Sequence, residues 1–176
     1  MQWQFTGSIA LAAITVSVPA EATVYFTVEQ VQHALFPGAT MTAMPVHLTD
    51  AQMTAIEKRS GVNVRNAEQQ VWRVDGGGFL IVDEVVGKHE FITYALALDA
   101  NGAVKGLEVM DYRESYGYEI RDPDWRTQFT GKTVSAPLKL DKDIRNIGGA
   151  TLSSRHITDG VKRLLVFYDA VLRPLG

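Results

Sequence analysis

Apolar and polar positions follow two rhythms along this chain. Between Phe26 and Phe36, Val28, Val31, Ala34 and Leu35 recur at helical spacing and Pro37-Gly38 ends the pattern, which predicts a short amphipathic helix. A second helix is predicted from Thr49. Thr49 or Asp50 can cap it, Met53, Ile56 and Glu57 follow at helical spacing, and Ser60-Gly61 stops it, while Pro45 to Leu48 reads as a connector. The rhythm then becomes that of strands: Gln70 to Val74, Gly78 to Val86, His89 to Leu98 and Val104 to Tyr112. Gly76-Gly77-Gly78, Gly87-Lys88 and Asp99-Ala100-Asn101-Gly102 separate them with residues that reach the positive φ of tight turns, so the strands form an antiparallel meander. Both alternating sets of the third strand are apolar, which predicts a strand covered on both faces. From Ser154 to Leu172 the helical period returns. Ile157, Val161, Leu164, Leu165, Tyr168, Val171 and Leu172 share one face, and Arg155, Asp159, Lys162 and Arg163 lie largely elsewhere. The elements predict an α+β fold, an antiparallel β meander packed with an N-terminal helical segment and a C-terminal amphipathic helix.

The start of the chain fits neither rhythm. Ser8 to Val18 is an almost uncharged apolar run, and Ala20 and Ala22 then give an Ala-x-Ala cleavage pattern. Residues 1–22 read as a signal peptide although Met1 to Phe5 contain no Lys or Arg, which leaves residues 23–176 as a single domain. The run falls short of the ~20 residues needed to span a bilayer. The expected location is periplasmic or exported, with membrane association left open.

Composition narrows the chemistry. A net charge of -3 over 176 residues lacks the basic excess that nucleic-acid binding draws on, so no nucleic-acid partner is expected. Without cysteine there are no disulfides, iron–sulfur clusters or thiolate zinc sites, and His33, His47, His89 and His156 include no pair at metal-binding helical spacing. No metal site and no catalytic residue is proposed. Asp83-Glu84 would point to opposite faces of a strand, and Asp122-Pro123-Asp124 reads as a turn, so neither is an acid/base dyad.

The segment that carries chemistry is Gly148-Gly149-Ala150-Thr151-Leu152-Ser153-Ser154. The closing helix is expected to begin where this segment ends, and a helix start offers unpaired N–H groups and the positive end of the macrodipole. The two glycines let the backbone approach a phosphate, Ser153 and Ser154 add hydroxyl donors, and Arg155 or Lys162 adds positive charge. The residues alone equally allow a capped turn with close backbone packing.

Gly-Ala-Thr-x-Ser-Ser before a closing helix resembles the flavinylation motif of the FMN-binding domain family, found in flavin-carrying subunits of the sodium-pumping NADH:quinone oxidoreductase and Rnf complexes. The resemblance extends upstream through Gly87-Lys88, the Asp99 to Gly102 hairpin, Glu114-Ser115-Tyr116-Gly117, Trp125, Gln128-Phe129 and Gly131-Lys132. It implies that an FAD-dependent flavin transferase joins the phosphate of FMN to the hydroxyl of Thr151. It also implies that Gly148, Gly149, Ala150, Ser153, Ser154, Glu114, Ser115, Tyr116, Gly117, Trp125 and Lys132 surround the cofactor. Ser115 and Gly117 would meet the flavin edges, and Tyr116, Tyr118 or Trp125 would lie against its plane, with a core position the alternative for Trp125. Arg145 and Gly148 depart from the motif, which has an acidic residue six positions and Ser or Thr three positions before its threonine. Tyr118 replaces a second glycine after Gly117. A similar Gly38-Ala39-Thr40 follows Pro37 without the Ser-Ser and reads as a turn.

The resemblance implies an electron carrier rather than a free-standing catalyst, with membrane electron-transfer proteins as its partners. The alternative is a non-redox or loosely flavin-binding assembly module of a membrane redox system. A free-standing flavin reductase would need a nicotinamide site, and the sequence has no Rossmann fingerprint.

Overall fold

A computed structural model describes residues 23–114 and 117–175, with the backbone alone described at Thr23 and Val24. The signal-peptide reading of residues 1–22 lies outside the described residues, as do Ser115 and Tyr116. In chain order the elements are β1 (Thr23–Val24), α1 (Val28–Leu35), β2 (Met41–Ala43), β3 (Val46–His47), α2 (Asp50–Ser60), β4 (Glu68–Val74), β5 (Phe79–Val86), β6 (Phe91–Leu98), β7 (Val104–Tyr112), α3 (Pro123–Arg126) and α4 (Thr151–Phe167). A π-helical turn, Tyr168–Leu172, continues α4. Among the described residues no helix is long and apolar enough to cross a membrane.

The sheet runs β1-β7-β6-β5-β4-β2 with every pairing antiparallel, and β3 pairs separately with β4. The meander from β4 to β7 is as the turn residues predict. The segment expected as a connector supplies β3, where Val46 and His47 pair with Gln69 and Glu68. Two residues are too few to carry an alternation.

The two faces of β6 explain its apolar composition. Ile92, Tyr94, Leu96 and Leu98 face a core shared with α2 and α4, whereas Ala95 and Ala97 face a smaller cluster with Val31 and Phe36 at α1. The sheet is therefore sandwiched between helices.

On α4, Ile157, Val161, Leu164 and Leu165 are fully buried. Arg163, expected largely off the apolar face, is buried too. Its guanidinium lies 2.5 Å from Asp83 on β5, and Tyr94 donates a 2.5 Å hydrogen bond to the same carboxylate oxygen. Burial, then the charge of Asp83, pushes the Tyr94 phenol well above its ordinary 10.0, so it remains a neutral donor. Gly160 makes this arrangement possible, since a Cβ there would stand 2.5 Å from the Tyr94 hydroxyl.

Candidate functional site

The closing helix starts at Thr151, three residues before the predicted start. Gly149, at φ +82, turns the chain, and Ala150 occupies the N-cap position without any side-chain oxygen to bond the first turn. Thr151 is thus the first helical residue and half-buried. Gly148 and Gly149 are exposed, and a Cβ built on either meets no atom within 4 Å, so the chain is uncovered at these two glycines.

The early start corrects the expectation for the two serines. Ser153 and Ser154 are 4% and 0% exposed. The Ser154 hydroxyl lies 3.0 Å from both Ala150 O and Asn146 Oδ1, and Ser153 Oγ is 3.3 Å from the Tyr112 hydroxyl. Their hydroxyls already have protein partners. The expected cations fare better. Arg155 and Lys162 line a cavity of about 460 Å³ together with Thr151, Asn146, Thr158, Asp159 and the loop Pro137–Asp141. Burial raises the Asp159 carboxyl above its ordinary value, against the opposing charges of His156, Lys162 and Arg155.

Asn146 is the residue that sequence reasoning missed. Its Oδ1 accepts hydrogen bonds from Ile147 N at 2.8 Å and from the Ser154 hydroxyl, and its Nδ2 lies 3.4 Å from Thr151 Oγ1. An Asn shortly before a glycine turn is a known local signal, because its amide often bonds nearby backbone.

The loop after β7 meets the same place. Gly117 has φ +93, and a Cβ there would stand 2.7 Å from the Tyr112 hydroxyl and 2.8 Å from Ala150 Cβ. The glycine therefore serves the contact between its loop and Ala150, beyond any approach to a ligand. Exposed apolar side chains flank this junction in sequence: Tyr118, 65% exposed, and Leu152, 43% exposed.

Glu114 acts at one remove. Its Oε1 accepts the N–H groups of His89 and Glu90, at 2.6 and 3.1 Å, which clamps the β5–β6 hairpin. Burial works to raise its pKa, but the N–H groups of His89, Glu90 and Lys88 outweigh it and hold the carboxyl below its ordinary 4.5. A Cβ on Gly87 would fall 2.5 Å from that oxygen and 3.0 Å from Glu90 O, so a side chain there would push the Glu114 carboxylate out of its clamp.

Trp125 and Lys132 do not present themselves to a ligand. Trp125 is 2% exposed, packs edge-on against Phe129, and donates from Nε1 to Arg145 O at 2.7 Å. It holds the backbone ahead of the Thr151 segment and offers no free ring face. Lys132 Nζ lies 3.0 Å from Asp143, whose carboxylate also accepts Leu138 N and Lys139 N. That ion pair shapes the loop that walls the cavity. A larger cavity, about 950 Å³, lies along an adjoining stripe of α4 at His156, Gly160 and Arg163 and does not include Thr151.

Residues 87–166 match the FMN-binding domain family. A component of the ion-translocating oxidoreductase complex from Salmonella typhimurium is 32% identical, with 46% of this chain and 44% of that one covered. Its counterpart from Escherichia coli K12 is 34% identical over 41% of this chain and 40% of that one. The matches thus span less than half the length of these curated relatives. Among solved structures, a component of the Na(+)-translocating NADH-quinone reductase from Parabacteroides distasonis aligns with a TM-score of 0.47 and 16% identity, covering 83% of this chain and 89% of that one. The matched span, residues 87–166, runs from the hairpin clamped by Glu114 to the buried face of α4, and this similarity indicates FMN as the cofactor.

Proposed function

We propose that this chain is an exported electron-transfer domain that carries FMN as a phosphoester of Thr151. One observation supports the reading: Gly117, after β7, packs against Ala150, the residue that precedes Thr151 at the uncapped start of α4. The unpaired N–H groups of the first turn and the positive end of the helix suit a phosphate attached there. Arg155 and Lys162, on the cavity that Thr151 lines, balance its charge. Tyr118 and Leu152 offer apolar surface to a ring system beside the attachment point. When bound, FMN supplies the redox chemistry, and the protein supplies attachment, orientation and electrostatics.

Covalent attachment suits an exported carrier, because a tethered cofactor stays at high effective concentration beside its pocket. Export rests on the cleavage pattern at Ala20 and Ala22. The curated relatives belong to ion-translocating oxidoreductase complexes, which supports membrane electron-transfer proteins as donor and acceptor.

Thr151→Val tests the reading, because it keeps the side-chain shape and removes the oxygen. Wild-type chain co-expressed with an FAD-dependent flavin transferase is expected to keep flavin fluorescence on a denaturing gel, and Thr151→Val to lose it with its circular dichroism unchanged. Fluorescence retained by Thr151→Val would reject Thr151 as the attachment point. Flavin that is bound by the folded wild-type chain but released on denaturation would favour the loosely binding assembly module, in keeping with Arg145 and Gly148 standing where the motif has other residues.

A further inference from the structure

We propose that Asn146 is the positioning residue that aims the Thr151 hydroxyl for flavin attachment, an inference that rests on Thr151 being the attachment point. The hydrogen-bond network fixes which way the Asn146 amide faces. Ile147 N–H, which can only donate, points at one end of the amide at 2.8 Å, so that end is the carbonyl oxygen, with the Ser154 hydroxyl 3.0 Å from it. The other end is then the NH2 group, and it stands 3.4 Å from Thr151 Oγ1. Thr151 Oγ1 must accept there, which turns its own proton and its remaining lone pair away from Asn146. A threonine in a helix otherwise divides between two rotamers. Asn146 selects one of them from a position that its own Oδ1 keeps through Ile147 N–H, beside the Ser154 hydroxyl at 3.0 Å.

The two positions where the segment departs from the motif do not take this role. Gly148 has no side chain, and the side-chain bond to Thr151 Oγ1 comes from Asn146, while the Arg145 backbone bonds Gln128 and Trp125. Asn146 lies between them and provides the polar contact to the threonine. In the transfer, the Thr151 Oγ–phosphorus bond forms and the bond between the FMN phosphorus and the bridging oxygen of FAD breaks. AMP leaves with the electron pair of that bond, and the hydroxyl proton passes to water. Asn146 neither gains nor loses a proton; it sets the direction from which Oγ1 meets the phosphorus.

Asn146→Asp removes the donor, since the carboxylate keeps an oxygen for Ile147 N and Ser154, loses the NH2 group and adds a negative charge at neutral pH. The full chain is incubated with FAD and an FAD-dependent flavin transferase, and the initial rate of FMN mass gain is followed beside wild type across a pH series. At neutral pH Asn146→Asp is expected to react about tenfold more slowly with an unchanged melting temperature. As pH falls into the range where the new carboxyl protonates, its O–H replaces the lost donor, and the ratio of variant to wild-type rate is expected to rise. A variant as fast as wild type at neutral pH would overturn the proposal. So would a slow variant whose ratio is flat with pH, since that is the behaviour of a purely structural residue. Wild type that gains no FMN, or gains it away from Thr151, would instead reject the attachment point itself and this inference with it.

Discussion

Helices α1 and α2 begin differently from α4. At α1, Thr27 bonds Gln30 N and the Gln30 side chain bonds back to Thr27 N; at α2, Thr49 and Gln52 do the same. Each capping box satisfies two of the four orphan donors of a helix start. α4 is the longest of the three and has Ala150 at its cap, whose side chain can accept no bond from the N–H groups of the first turn. A missing cap costs about 1 kcal/mol, whereas one fully buried Leu or Ile contributes about 1.5–3 kcal/mol. The buried face at Ile157, Val161, Leu164 and Leu165 therefore holds α4 without a cap. The first two helices are finished at their starts, while α4 is anchored from its middle and keeps its first turn open.

That contrast can be broken most severely at the anchor. Arg163→Met leaves the Asp83 carboxylate largely buried without its cation, and a loss of about 3 kcal/mol is expected in chemical denaturation. A loss below about 1 kcal/mol would mean that the pair does not hold the middle of α4. A smaller effect separates the helix starts. Thr49→Ala removes a working cap and is expected to lower stability by about 1 kcal/mol, whereas Thr151→Val in the flavin-free chain is expected to change it by less than about 0.5 kcal/mol. Equal losses at the two positions would show that Thr151 serves the helix as Thr49 does.

The smallest effect concerns the hairpin clamp. Because the folded pKa of Glu114 lies below its ordinary value of 4.5, its contribution is complete above that value and lost as pH falls through the folded pKa. Glu114→Gln is expected to give a shallower fall of melting temperature with acid than wild type below about pH 4.5. Parallel curves would remove the clamp as a source of acid sensitivity.

Much of this architecture was legible in the sequence, since local chemistry marked it. Gly76-Gly77-Gly78 and Asp99-Ala100-Asn101-Gly102 placed the hairpins, and Thr49 and Gly61 bounded α2. What escaped depends on contacts distant in sequence or on geometry that polarity disguises. Ser153 and Ser154 look like loop residues, yet they are buried in the first turn because Tyr112, Asn146 and Ala150 O absorb their hydroxyls. Arg163 looks solvated until β5 brings Asp83 to it. The Gly-Ala-Thr segment was visible as a motif. Its contact with Gly117, and the Asn146 amide beside Thr151, arise only once the loops fold together.

The open start of α4 is tested most directly by peptide mapping of the full chain after reaction with FAD and an FAD-dependent flavin transferase. The account predicts a mass gain of one FMN less one water, confined to the peptide that contains Thr151 and assigned by fragmentation to that residue. A gain on Thr40 or Ser153, or an unmodified chain in the presence of an active transferase, would contradict it.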